Sequence, residues 1–359
     1  MTDRCQLDCQ HCLRDPGRKA RDLEEDLVRR VIAEARAMYG IEHVTFTGGE
    51  PTLHPRFESI VDAVIDNSMR WNIVTNGRAF ARVLARLEAR AERLLGLSSI
   101  VLSVDGAVEA THDAIREHGS YREVLAAAAI CGARGIAFAF QMAVNARNEH
   151  ELEALGLLAA QLGARRVSYA MTQPTGTKHD AALFLPASTW RRIRTRIEQL
   201  AKALALEVEL TEGHYVESRY ASCDALRGET LHVDVEGNLT LCCLHSQVPS
   251  AQPGRDIAGD LHKLTLVEAH RRLLELIRRT TDDALTRLGE STGSPWEHFH
   301  CNQCLASFGK PHWTDAGAAG PAANRERWRG VWAPGEHRHV IGSPDVPSAK
   351  LRRLRLVHQ

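Results

Sequence analysis

The 359-residue chain has no excess of charge of either sign: 45 basic side chains stand against 45 acidic ones. That balance removes the broad electrostatic case for a nucleic-acid partner. Long apolar runs are missing too. The longest, Val124 to Ala133, is too short to span a bilayer. The first residues are polar and cysteine-rich, which is not the pattern of a signal peptide. Without a secretory signal, nine cysteines gathered in clusters read as metal ligands in a reducing cytoplasm rather than as disulfides. No cysteine follows Cys304, which limits how many metal groups the second half can hold.

What is present starts in the first twelve residues. Cys5, Cys9 and Cys12 are spaced Cys-x3-Cys-x2-Cys. Three thiolates from one short loop can hold three irons of a 4Fe–4S cluster and leave the fourth iron open to chemistry. With His11, the same residues also suit a zinc site of three sulfurs and one nitrogen. Thr47-Gly48-Gly49-Glu50-Pro51 follows a strand-like run from Ile41 to Phe46. Adjacent glycines at a strand end let a backbone approach a ligand closely, and the carboxylate can accept hydrogen bonds from an ammonium group.

Together, the cysteine loop and the Gly-Gly-Glu segment resemble the radical S-adenosylmethionine (radical SAM) superfamily. The resemblance implies that Cys5, Cys9 and Cys12 hold a 4Fe–4S cluster whose open iron is chelated by S-adenosyl-L-methionine (SAM). It implies that Gly48, Gly49 and Glu50 contact the methionyl ammonium, and that His11, the residue before the third cysteine, lies near the adenine. It also implies an electron donor such as flavodoxin or ferredoxin, and hydrogen-atom abstraction from substrate by a 5′-deoxyadenosyl radical.

From Arg21 to about Tyr169 helical and strand periodicities alternate, which predicts a parallel sheet with helices outside, an α/β fold. Strands are expected at Val44–Thr47, Trp71–Thr75, Ile100–Val104, Ile136–Val144 and Arg166–Met171. Helices are expected at Phe80–Leu95, at Val124–Ala133 behind a Ser120/Glu123 capping box, at Glu149–Leu162, and through Trp190 to Leu204 with Ser188 as cap. The resemblance implies a partial (β/α)6 barrel whose first strand lies just before the cysteine loop. Only Met1 to Arg4 precede Cys5, so the start codon is misplaced or most of that strand is missing. Residues 1–200 are expected to form the barrel, 201–310 a smaller α+β domain, and 311–359 an extension.

At the carboxyl ends of the strands, where a βα barrel builds its site, Ser103 and Asp105 share a face. They are candidates for SAM contacts, with Asp105 suited to ribose hydroxyls. Gln141 and Asn145, on or just past the next strand, are candidates for the SAM carboxylate or ribose. Asn76 reads as a turn residue, and His112, Arg116 and Tyr121 as packing around the loop. Tyr169, His179, His214 and Tyr215 are candidates for the edge of a substrate cavity, and no general base is assignable among them.

In the second half, Leu231–Val235 and Asn238–Cys242 flank Glu236-Gly237 and predict a β-hairpin. Cys223, Cys242 and the Cys301-x2-Cys304 knuckle could make a four-cysteine zinc clip. Their order resembles the SPASM and twitch auxiliary-cluster domains of radical SAM enzymes. With so few cysteines, a twitch-like domain with one auxiliary 4Fe–4S cluster on Cys223, Cys242, Cys301 and Cys304 is the expectation. Cys243 is the rival of Cys242, and Cys131 reads as a core thiol. Full ligation suits electron transfer, hence a net oxidation. The substrate class implied is a ribosomally made peptide or protein, cross-linked or desaturated. A twitch-type dehydrogenase acting on a small-molecule alcohol and a non-enzymatic iron–sulfur or zinc protein are the alternatives. The basic, leucine-interleaved stretch Lys350 to Arg355 reads as a solvated or docking tail.

Overall fold

The computed structural model describes residues 1–13, 20–173, 181–211, 213–218, 223–244, 254–289, 291, 293–310 and 312, and the backbone of 353–356. His179 and the Ala/Gly-rich stretch from 315 to 324 lie outside the described residues. Helix α1 (Glu25–Tyr39) precedes β1 (His43–Phe46), α2 (Phe57–Asp66) and β2 (Arg70–Thr75). Then come α3 (Phe80–Glu88), α4 (Ala91–Leu95), β3 (Leu97–Ser103), α5 (Glu109–Ile115), α6 (Ser120–Ala133) and β4 (Phe138–Val144). Helix α7 (Leu152–Gln161), β5 (Arg166–Met171), α8 (Ala187–Ala203) and β6 (Glu207–Leu210) complete the first half.

Strands β1 to β6 are parallel and lie in chain order, as short right-handed βα connections dictate. Their apolar positions, such as Phe46, Trp71, Leu102, Phe140 and Val167, are buried with Val124, Leu155 and Ile193 of the helices. Burying one sheet face under helices is the dominant favourable term in such a layer, at about 25 cal/mol per Å² of apolar area. The expected α/β architecture of parallel strands with helices outside is what the chain adopts.

The second half adds β7 (Thr230–Val233), β8 (Asn238–Thr240), β9 (Ile257–Asp260), α9 (Leu266–Leu288) and α10 (His300–Ser307). Strands β7 and β8 form the expected antiparallel hairpin, with Gly237 at φ 77° in its turn. A last strand, β10 (Arg353–Leu356), runs parallel between β1 and β7 and joins both halves into one ten-stranded sheet. The stretch expected to be a solvated or docking tail is therefore a strand at residues 353 to 356. No helix among the described residues is long and apolar enough to cross a membrane.

Three local expectations are corrected. The helix expected from Phe80 to Leu95 is two helices broken at Ala89 and Arg90. Helix α6 starts after Gly119 at φ 80°, and its first N–H groups are met by Asp113 rather than by a Ser120/Glu123 box. Asp113 accepts from the N–H of Gly119 at 2.6 Å and of Tyr121 at 2.9 Å. Ser188 sits inside the first turn of α8, whose cap position is Pro186. A true capping box stands at Thr265 and Glu268, before α9.

Candidate functional site

The loop carrying Cys5, Cys9 and Cys12 lies over the carboxyl ends of β2 and β3 and the end of α5. The Gln10 N–H donates to Ile115 O at 2.9 Å, the Gln10 side chain to Ala114 O at 2.8 Å, and the Asp8 N–H to Glu117 Oε1 at 2.8 Å. Arg78 reaches Gln6 O at 3.3 Å. A short polar loop with no secondary structure of its own is thus held by backbone groups that a helix end leaves free.

Donors surround the thiols. Cys5 Sγ accepts from the Leu7 N–H at 3.4 Å and from Asn76 Nδ2 at 3.7 Å, and Cys9 Sγ accepts from the Arg116 guanidinium at 3.9 Å. Burial pushes the Cys9 thiol up to about 12, against the pull of Arg116. N–H groups aimed at sulfur are a means by which proteins hold and tune iron–sulfur clusters. Asn76, expected to be a turn residue, and Arg116, expected to be packing, both touch the cysteines.

Asp105 is the hub of the site. It is fully buried; its Oδ2 lies 2.6 Å from His11 Nε2 and 2.6 Å from Arg116 Nε, and its Oδ1 accepts the Ala143 N–H at 2.8 Å. Burial alone would raise its pKa. The Arg116 and His11 charges outweigh burial and hold the carboxyl well below the usual carboxylate range. Its backbone N–H donates to His112 Nδ1 at 3.1 Å, and burial lowers His112 to about 4. The carboxylate expected to meet ribose hydroxyls is therefore engaged within the protein, and the His11 ring is docked on it.

Glu50 is treated similarly. It is 1% exposed, and its carboxylate accepts from Thr52 Oγ1 at 2.7 Å, Thr75 Oγ1 at 2.9 Å and the Asn76 N–H at 2.9 Å. Burial pushes its pKa up, and these donors oppose the rise. The side chain bolts the end of β1 to the end of β2. Gly48 has φ 152°, a region that favours glycine. At Gly49 a Cβ would lie 2.2 Å from Arg4 O, so this glycine admits the Asp3–Arg4 backbone. Asn145 is buried, donating to Ala143 O and accepting from Arg147 N. Ser103, the last residue of β3, and Gln141, in the middle of β4, stand side by side in register, both half-buried.

The second cysteine set converges on a cavity of about 260 Å³. Cys223, Cys242, Cys301 and Cys304 all line it, with His214 beside them. Cys301 and Cys304 share one face of α10, three residues apart. At Gly213, φ 102°, a Cβ would come within 3.0 Å of Cys301 Sγ. Cys242, two residues past the end of β8, lines the cavity, while Cys243 hydrogen-bonds to it. Burial pushes Cys304 up to about 12. Trp296 packs on Phe299 at 4.7 Å between ring centroids, and Phe299 on Tyr215 at 5.8 Å. Tyr169 is buried in the core, its hydroxyl donating to Leu152 O, and Cys131 is fully buried as expected. No three His, Cys, Asp or Glu side chains among the described residues close on one ion-sized point.

The chemistry of both sets suits iron–sulfur ligation: three soft thiols on one loop with N–H donors to Cys5 and Cys9 at the first, and four soft thiols lining one cavity with apolar neighbours at the second. Arg116 is the main residue under-read in the sequence. Nothing local distinguishes an arginine just past a short helix from a surface one.

Comparison with known proteins bears on residues 1–159, which match the family model described as the radical SAM superfamily. The PqqA peptide cyclase of Ruegeria pomeroyi is 32% identical over 208 residues, 56% of this chain and 54% of that protein. The mycofactocin maturase MftC of Mycobacterium tuberculosis is 31% identical over 175 residues, 46% of this chain and 41% of that protein. The chain thus spans about half the length of these curated relatives. Among solved structures, Streptococcus suis SuiB bound to the precursor peptide SuiA superposes with a TM-score of 0.60 at 16% identity, covering 77% of this chain and 64% of that one.

Proposed function

We propose, from the match of residues 1–159 to the radical SAM family model, that the protein is a radical SAM enzyme that oxidatively modifies a ribosomally made peptide. The observation that carries this reading is the pairing of two thiol sets in one sheet-bound frame. One is a three-cysteine loop docked on Asp105, and the other a four-cysteine cavity behind the β7–β8 hairpin. The named relatives, a PqqA peptide cyclase, a mycofactocin maturase and SuiB with its bound precursor peptide, support a peptide as the substrate class.

In this reading Cys5, Cys9 and Cys12 hold the SAM-binding 4Fe–4S cluster, and Cys223, Cys242, Cys301 and Cys304 hold an auxiliary one. When bound, the first cluster and SAM supply a radical able to take a hydrogen atom from an unactivated carbon. The chain's own residues position the loop. Asp105 anchors His11, Arg116 places positive charge beside Cys9, and Asn76 donates toward Cys5. Glu50 fixes the β1–β2 rim, so the Gly48–Glu50 segment offers SAM its backbone rather than this carboxylate. Ser103 and Gln141 remain the side chains best placed at the rim for SAM or substrate. A cluster held by Cys223, Cys242, Cys301 and Cys304 would supply an acceptor for the electron left on the substrate, which suits a net two-electron oxidation.

The test is anaerobic reconstitution with a chemical reductant, SAM and candidate precursor peptides. The expected result is 5′-deoxyadenosine together with a peptide lighter by two hydrogen atoms. Formation of 5′-deoxyadenosine with small-molecule alcohols but with no peptide would replace the peptide reading by the dehydrogenase one. No 5′-deoxyadenosine with any substrate would refute the enzyme.

A further inference from the structure

Strand β10 occupies one stretch of the β1 edge, with Val44 opposite Leu354, Thr45 opposite Arg355 and Phe46 opposite Leu356. The next stretch of the same edge is held by the first residues of the chain. The Met1 nitrogen donates to Thr47 O at 2.9 Å, the Gly49 N–H to Thr2 O at 2.8 Å, and the Glu50 N–H to Arg4 O at 2.7 Å. Residues 354–356 face 44–46, and residues 1–4 face 47–50. The two segments therefore lie end to end along one line, parallel to β1. On its other side β10 pairs with β7, from Arg353 opposite Thr230 to Leu356 opposite Val233.

We propose that Arg353–Leu356 and Met1–Arg4 act as two halves of one split strand, and that docking of the C-terminal half in cis fixes the segment that carries Cys5. The physical case rests on the backbone. Val44 and Phe46 are fully buried, as are Leu231 and Val233 across the slot. Buried N–H and C=O groups without partners each cost on the order of a hydrogen bond's desolvation, so an empty slot would expose two edges at once. The sequence of this segment, Arg353-Leu354-Arg355-Leu356, alternates with the period of a strand. Along the shared line, Arg4 is the last paired residue and Cys5 the next. Met1–Arg4 is also held on its far side, where the Leu23 N–H donates to Met1 O and the Asp3 N–H to Arg21 O, both at 2.8 Å. Strand β10 therefore acts on the root of the cysteine loop through the β1 edge the two segments share, while Asp105 holds the loop's far end at His11.

The test uses amide hydrogen exchange on the full chain, on Leu354→Pro, on a variant lacking 350–359, and on a permuted variant in which residues 350–356 are moved directly before Met1. Proline removes a ladder donor from the centre of β10. Leu354→Pro and the truncation are expected to exchange about tenfold or more faster at Val44–Phe46 and, with them, at Gly49 and Glu50. The permuted variant is expected to regain wild-type protection at both stretches, even if the truncation alone does not fold. Unchanged exchange at Gly49 and Glu50 in Leu354→Pro, or a permuted variant that fails to fold, would overturn the proposal. So would sedimentation of the full chain as a dimer that exchanges β10 between copies. The readout needs no bound cluster, so it stands whether or not the enzymatic reading holds.

Discussion

Asp105 and His11 meet at 2.6 Å although 94 residues separate them, and the same carboxylate oxygen carries Arg116. One buried carboxylate thereby joins the cysteine loop, the end of β3 and the residue after α5. A charge in that position is retained by its partners, because an isolated carboxylate would not stay ionised there.

Asp105→Asn should be the most damaging single change at the site. It keeps the shape but leaves Arg116 buried without its counter-ion. Removing one partner of a buried ion pair costs about 3–5 kcal/mol. Guanidinium unfolding midpoints should show that loss, and the variant should fail to retain iron at Cys5, Cys9 and Cys12. The double variant Asp105→Asn with Arg116→Met should be less destabilised than the single one.

Gly49→Ala should displace the same loop from the opposite side. Its Cβ would lie 2.2 Å from Arg4 O and 2.8 Å from Arg4 C, both rigid backbone atoms. Overpacking of this kind costs about 1–3 kcal/mol. The check is a lower thermal midpoint together with reduced iron retention in the first site, while the auxiliary site keeps its iron.

Iron counts should separate the two cysteine sets. Two 4Fe–4S clusters predict about eight irons, falling to about four in the Cys5/Cys9/Cys12→Ala variant. Cys242→Ser should lose the auxiliary irons, and Cys243→Ser should keep them, because Cys242 lines the cavity. Equal loss in both would show that the pair shares the ligation.

Acid should weaken the fold partly through His214. Burial lowers its pKa from 6.5 to about 4. Between those values the unfolded chain takes up a proton that the folded chain refuses, so stability falls as pH falls from 6.5 toward 4. The contribution is at most on the order of 3 kcal/mol. Asp234 acts in the opposite sense. Burial raises it to about 7, so its contribution falls as pH rises through that range. The clean measurement is a difference: the stability of His214→Gln relative to the wild type should rise steadily between pH 7 and pH 4.

The local patterns were legible. The strands of Leu102, Phe140 and Val167 declared themselves as short, largely apolar runs between helical stretches, and the hairpin around Gly237 announced itself by its glycine turn. The site was legible as a set of ligands but not as a set of contacts. Ser103 and Asp105 share a strand face, yet that does not reveal that Asp105 is consumed by His11 and Arg116 while Ser103 stays at the rim. The Ser120/Glu123 box fitted the spacing, but the Ser120 and Glu123 N–H groups go to Glu117 O and Gly119 O, while Asp113 takes those of Gly119 and Tyr121.

By itself the sequence determined the thiol chemistry, the βα rhythm and the Gly-Gly-Glu turn, because each depends on residues a few positions apart. Tertiary structure alone decided three things: which carboxylate receives His11, which of two adjacent cysteines faces the cavity, and where Arg353–Leu356 goes. Its leucine–arginine alternation makes that last segment a strand. Only the open edges of Val44–Phe46 and Thr230–Val233, some 300 and 120 residues away, give it a partner. Such pairings depend on which buried backbone groups would otherwise go unmet, and no local pattern records that.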